Sequence, residues 1–183
     1  MRKLIAYEYV TLDGVMEAPE NWQFPYFSKD FEEFNREQIL SFDASLLGRV
    51  TYEIFASYWP TQTNNEFGLA DKINNAPKYI FSTSLEKVDW NNSTLIKGNI
   101  TEEINKLKQG PGGDIGIIGS ATLVQSLLQA DLVDELWLFI HPLIVGSGKR
   151  LFEDGTDLKK LNLTDTKKFD SGVLLLRYHA DGK

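Results

Sequence analysis

The sequence predicts a three-layer α/β/α domain on a mostly parallel mixed sheet with an antiparallel C-terminal edge. Short apolar runs alternate with longer amphipathic stretches over residues 4–140, the pattern of crossover connections between parallel strands. Two late β patterns, residues 161–169 and 173–179, are joined by Asp170-Ser171-Gly172 and read as a hairpin. The size fits one unit: 183 residues, 42% hydrophobic and 12% aromatic, make one well-buried core and are short for two. A single domain spanning residues 1–183 is therefore the expectation.

Each element follows from local chemistry. Residues 4–10 form a strand, and Thr11-Leu12-Asp13-Gly14 supplies the turn after it. Residues 19–25 make a loop rich in Trp, Phe and Pro. Ser28 is a candidate N-cap, and Phe31, Phe34, Ile39 and Phe42 recur near helical spacing, so a helix covers residues 29–41. A short apolar strand at 44–47 leads into Gly48-Arg49-Val50-Thr51. These open a second helix that ends near Trp59-Pro60, with Tyr52, Phe55 and Trp59 on its core face. Strands follow at 78–81 and 94–96, then a helix at 101–108 opening on Thr101, with Glu102 and Glu103 in its first turn. Gly110-Pro111-Gly112-Gly113 separates that helix from a strand at 115–118. A helix at 120–129, a strand at 132–140 and a Gly146-Ser147-Gly148 loop complete the chain before the hairpin.

Composition narrows the function. The 26 acidic and 19 basic residues give a net charge of -7, with no basic run, so nucleic acid is not an expected partner. With no cysteine and only two distant histidines, His141 and His179, no metal site is expected, and any cofactor is organic. No signal-type apolar stretch follows Met1-Arg2-Lys3, and no run approaches 18 apolar residues. A soluble cytoplasmic protein without membrane contact is expected.

Three strand ends carry small or hydroxyl residues where a helix or loop begins: Gly48-Arg49-Val50-Thr51, Ser82-Thr83-Ser84 and Gly119-Ser120-Ala121-Thr122. Ligands of open α/β sheets sit beyond the carboxyl ends of the strands, so these three could converge on one phosphate-bearing molecule. Neither G-x-G-x-x-G nor G-x-x-x-x-G-K-[ST] is present, so a standard dinucleotide fingerprint or P-loop is not supported. Each group also has a structural reading. Ser120 or Thr122 could cap a helix, Thr51 and Ser82 could close turns, Arg49 could be solvated, Asp13 could shape its turn, and His141-Pro142 could end a strand.

Five segments then appear in a telling order: A-Y-E-Y-V-T-L-D-G-V, L-L-G-R-V-T-Y-E-I-F, K-Y-I-F-S-T-S-L, I-G-I-I-G-S-A-T-L-V and L-V-D-E-L-W-L-F-I-H-P-L-I-V-G-S-G-K-R-L-F. Together, over roughly residues 3–177, they resemble the dihydrofolate-reductase-like superfamily. They are most similar to the branch containing the C-terminal reductase domain of bacterial riboflavin biosynthesis. The resemblance implies NADPH as cofactor. Gly48, Arg49 and Thr51 would hold its phosphates, and Ser82 and Thr83 would lie near the adenosine ribose and its 2′-phosphate. Gly119, Ser120, Ala121 and Thr122 would form the turn onto the pyrophosphate, with Ser120 replacing the usual second glycine. It also implies a homodimer and a small heterocyclic substrate of pyrimidine or pterin type, as in reduction of 5-amino-6-(5-phosphoribosylamino)uracil. Asp13, whose turn borders the active site in that branch, and Glu8 are the candidate acids.

The folate pattern is broken. The carboxylate and threonine that hold a pterin in true dihydrofolate reductases align with Phe27 and Phe139, which argues against folate as substrate, although Asp30, Glu32 or Glu33 could supply a displaced acid. A substrate phosphate would call on Lys29, Arg36 or Lys149. Two readings compete with catalysis: a nucleotide- or small-molecule-binding protein on the same fold, and an interaction module that pairs through an exposed edge strand at 132–140.

Overall fold

In a computed structural model that describes residues 1–63, 65–155 and 157–180, eight strands form one sheet. They are β1 (Leu4–Thr11), β2 (Ala44–Gly48), β3 (Lys78–Phe81), β4 (Ser93–Ile96), β5 (Ile115–Ile118), β6 (Glu135–His141), β7 (Leu161–Lys168) and β8 (Leu174–Ala180). Their order is β4-β3-β2-β5-β1-β6-β8-β7. The first six are mutually parallel, whereas β8 runs antiparallel to β6 and β7 antiparallel to β8. Parallel neighbours share a direction, so β1 to β6 all end on one edge, where their loops gather.

Five helices, α1 (Lys29–Ser41), α2 (Arg49–Tyr58), α3 (Leu69–Asn75), α4 (Ile100–Gln109) and α5 (Ala121–Gln129), connect and cover the strands. Strand periodicity sorts the core into layers. Leu4 and Ala6 of β1, with Leu46, Ile115 and Ile117, pack against Ile104 of α4 and Val124 and Leu127 of α5. The alternate residues Ile5 and Tyr7 face the other way, onto Phe31 of α1, with Phe139, Phe169 and Leu175. Leu47 and Ile80 extend that second layer beneath Tyr52 and Phe55 of α2 and Trp59 just after it, as the helix spacing predicts. Each such fully buried side chain contributes about 1.5–3 kcal/mol, and two-sided burial explains why the central strands read as nearly continuous apolar runs. Among the described residues, no helix is long and apolar enough to cross a membrane.

Several expectations are corrected. The strand expected at 132–140 is not an edge: β6 lies between β1 and β8, and the sheet edges are β4 and β7. It also begins only at Glu135, because the Leu132 amide donates to Leu127 O (2.9 Å) and closes the end of α5. The start of α4 is capped by Asn99, whose side chain accepts from the amides of Thr101 and Glu102, not by Thr101. α3 was not foreseen, since seven residues give too few turns for periodicity to show.

The end of α3 instead depends on a buried lysine. Lys78, 1% exposed, donates from Nζ to the carbonyls of Ile73 (3.0 Å), Asn74 (2.9 Å) and Ala76 (2.8 Å), and sits 4.3 Å from the Trp90 ring centroid. Burial pushes its ammonium down to about 8. Lys78→Met is expected to cost about 1–3 kcal/mol in urea unfolding at neutral pH, because three carbonyls lose their donor. The folded-state value lies below the ordinary 10.5, so the unfolded chain holds more protons between these values. The wild type should therefore gain on the variant as pH rises from about 8 to 10.5.

Candidate functional site: two interlocked turns above a buried carboxyl

β2, β5 and β1 are neighbours, so the turns that follow them meet at one edge. Gly48 ends β2 and precedes α2, and a Cβ placed on it would stand 2.6 Å from Ser120 Cβ. Gly119 answers it from the end of β5. Its φ is +70°, and a Cβ there would stand 2.9 Å from Thr51 Oγ1. The two turns thus close on each other through two positions that admit no side chain. Ser120 also adopts a left-handed conformation, at φ 70°, the one its replaced glycine would take freely.

Neither expected cap forms on α5. Ser120 makes no side-chain capping bond, and the Thr122 hydroxyl accepts from Lys149 Nζ at 2.5 Å. α2 likewise starts from Gly48 without a side-chain cap. First-turn amides of a helix have no intrahelical acceptor, and the macrodipole adds positive potential there. The Lys149 ammonium brings a further positive charge to the same helix end. The arrangement suits an anion that approaches the backbone closely.

Beneath it lies Glu8, 1% exposed on the central strand β1. Its Oε2 accepts from the Gly119 amide (3.1 Å), while Oε1 is buried without a partner. Burial raises this carboxyl well above its ordinary value, opposed only by the Gly119 bond. Burial thus favours the neutral carboxylic acid form, and the solvent-facing alternative for this residue is corrected.

Asp13 is different. Its Oδ1 accepts from the Thr11 hydroxyl (2.5 Å) and the Val145 amide (3.3 Å), and Oδ2 from the Gly146 amide (2.8 Å). The Thr11 hydroxyl first, then the Gly146 amide, hold it down at about 2. Glu17 Oε2 accepts from the Lys149 amide (2.9 Å), and Arg150 Nε donates to Asp13 O (3.0 Å). Together these bonds clasp the Gly146–Gly148 loop to the turn after β1 and set Lys149 over α5. Asp13 is ionised and fully engaged, which fits its turn-shaping reading; it holds no proton to give. Glu17 was missed by sequence reasoning, because nothing local marks a glutamate whose partner lies 132 residues away.

The outer candidates are less committed. Arg49 pairs with Glu53 (2.8 Å) on the exposed face of α2. Ser82 Oγ accepts from the amides of Ser84 (3.2 Å) and Leu85 (3.0 Å), closing its own turn, while Thr83 is exposed. Lys29 and Arg36 sit on α1, away from the two turns. Lys29 lies 3.9 Å from Glu33, and the Arg36 guanidinium lies 4.1 Å from the Phe67 ring centroid.

On the opposite face of β1, aromatic rings fill the space beside α1. Tyr9 contacts Phe27, Phe31, Phe139 and His141 at centroid distances of 5.3–6.4 Å. His141 ends β6, as its strand-ending reading requires, but its ring is completely buried. Nδ1 lies 3.0 Å from Phe139 O, and Nε2 has no partner. An unsatisfied buried acceptor costs about 1–3 kcal/mol.

A parallel α/β sheet with an antiparallel edge, carrying these strand-end turns, has the dihydrofolate-reductase-like fold. Within that class, the chain belongs to the family described as the RibD C-terminal domain, whose model matches residues 2–175. A relative of similar length is the uncharacterized protein YyaP of Bacillus subtilis (strain 168), 34% identical over 99% of this chain and 96% of its own. Among solved structures, the Thermotoga maritima diaminohydroxyphosphoribosylaminopyrimidine deaminase/5-amino-6-(5-phosphoribosylamino)uracil reductase matches with a TM-score of 0.68 and 14% identity. That match covers 98% of this chain and 56% of the other. Enterococcus faecalis dihydrofolate reductase, complexed with NADP(H), matches with a TM-score of 0.63 and 14% identity over 98% of this chain and 96% of its own.

Proposed function

We propose that the protein is an NADPH-dependent reductase of a small heterocyclic substrate, of the pyrimidine type handled by riboflavin-pathway reductases. The observation that carries this reading is the pair of interlocked turns, where Gly48 and Gly119 admit no Cβ and the start of α5 keeps its amides open. Gly119, Ser120, Ala121 and Thr122 would hold the pyrophosphate, with Lys149 beside them. Gly48, Arg49 and Thr51 would serve the adjoining phosphates once Arg49 leaves Glu53. Ser82 and Thr83 would lie toward the adenosine side, Thr83 with the freer hydroxyl. The name of the Enterococcus neighbour, complexed with NADP(H), agrees with this choice of cofactor.

NADPH, when bound, supplies the hydride. The chain's own part is to orient, to exclude water and to hold a proton. Glu8 braces the Gly119 amide from beneath, burial favouring its neutral carboxyl, whereas Asp13 acts by clasping the 146–148 loop. Folate is disfavoured by Phe27 and Phe139, since an unpaired pterin edge against them would cost about 1–3 kcal/mol. The aromatic filling beside α1 favours one other reading, a nucleotide-binding protein without catalysis.

The test is a titration with NADPH and with NADH, followed by the fluorescence of the four tryptophans. NADPH is expected to bind, about tenfold more weakly in Arg49→Ala, which loses one contact of about 1.4 kcal/mol. Loss of reduced-nicotinamide absorbance with pyrimidines or pterins then separates a reductase from a binder. Absence of binding by either nucleotide overturns the cofactor assignment.

A further inference from the structure

We propose that His141 is the polar anchor for the substrate ring, its Nε2 accepting a hydrogen bond from an amino or ring N–H of a planar heteroaromatic ligand that enters on the Trp22 and Tyr26 side. This rests on the reductase reading and adds to it the group that selects the ring.

The assignment begins with the tautomer. The Phe139 carbonyl can only accept, so the ring nitrogen 3.0 Å from it, Nδ1, carries the hydrogen. Burial pushes the imidazole below its usual value, although the carbonyls of Phe139 and Val10 oppose this, so the neutral ring prevails. Nε2 is then a bare lone pair, enclosed and without a donor. Buried polar atoms normally find a partner, and an exception in a cleft-forming protein asks what fills it.

The surroundings define the missing partner. His141 is ringed by Trp22 (5.0 Å), Tyr9 (5.3 Å), Tyr26 (5.8 Å) and Phe31 (6.1 Å between centroids). Tyr9 and Phe31 belong to β1 and α1, the fixed walls of the core. Trp22 and Tyr26 belong to the loop between β1 and α1, where Trp22 is buried and Tyr26 half-buried. The indole does not satisfy the imidazole, because Trp22 Nε1 donates to Glu17 O (3.1 Å). Aromatic walls accept a planar ring, and an isolated acceptor selects a ring bearing an N–H. A site built to bond a polar hydrogen discriminates strongly against an analogue lacking it.

Two nearly isosteric probes test this: 2-aminopyrimidine, which carries the donor, and 2-methylpyrimidine, which does not. Each is titrated into the full-length protein with tryptophan fluorescence as readout, and NADPH is titrated separately. The wild type is expected to bind the amino ring about tenfold more tightly or better. His141→Phe should reduce that ratio to about one, while His141→Gln, which keeps an acceptor oxygen, should retain part of it. Thermal melts establish that both variants fold, and the glutamine variant still decides the matter if the phenylalanine one does not. Equal affinities in the wild type, or an unchanged ratio in His141→Phe, overturn the assignment. Discrimination without NADPH binding would leave the His141 site standing and sink the reductase reading; NADPH binding without discrimination would do the reverse.

Discussion

Gly119→Val is expected to abolish NADPH binding and to destabilise the fold by about 2–6 kcal/mol, the sum of two separate penalties. The first is backbone strain. At φ +70° a β-branched side chain is a genuine outlier, costing about 1–3 kcal/mol. The second is overpacking of about the same size, because the new Cβ would stand 2.9 Å from Thr51 Oγ1 and 3.3 Å from Thr51 Cγ2. Relief by either route opens the turn away from α2 and spreads the amides that the proposed pyrophosphate needs. Thermal unfolding of a second pair, Gly119→Ala alone and with Thr51→Ala, separates the terms. Removing the threonine hydroxyl and methyl should recover the overpacking part and leave the strain. A Gly119→Val protein that bound NADPH as the wild type does would show that the interlocked turns are not the cofactor's cradle.

The same turns show what a sequence can and cannot disclose. The strands at 78–81 and 115–118 and the helix at 29–41 were legible to the residue, because each is bounded by strong local signals. The two glycines were legible as turn residues, and their order along the chain pointed to the right family. Their mutual contact was not, since Gly48 and Ser120 meet only after β5 inserts between β2 and β1. Burial of Glu8 was hidden for the opposite reason: a glutamate in an alternating strand reads as solvent-facing until the turn after β5 closes over it. His141 looked like a strand end, and it is one. The lack of a partner for Nε2 depends on the Phe139 carbonyl, two Tyr rings, a Phe and a Trp from four separate elements, which no local pattern encodes.

Glu8→Gln is expected to leave NADPH affinity near that of the wild type wherever the folded Glu8 carboxyl is protonated. Glutamine keeps an oxygen for the Gly119 amide, so the turn is preserved and only the titratable proton is removed. Stability supplies an independent readout with a definite sign. The folded-state value is raised above the ordinary 4.5, so between the two the folded protein holds a proton that the unfolded chain has lost. That contribution is fully present below 4.5 and disappears as pH rises through the folded value. Wild-type stability should fall over this window relative to Glu8→Gln, making the variant equal or superior at the alkaline end. Cofactor affinity should follow the same course. An ionised Glu8 beneath the cradle would repel a pyrophosphate, so wild-type binding should weaken at high pH where the variant's does not. Melting temperatures and NADPH titrations across the pH range, for both proteins, check both. A stability difference that stays constant with pH would mean that burial leaves the Glu8 carboxyl unshifted in the folded protein.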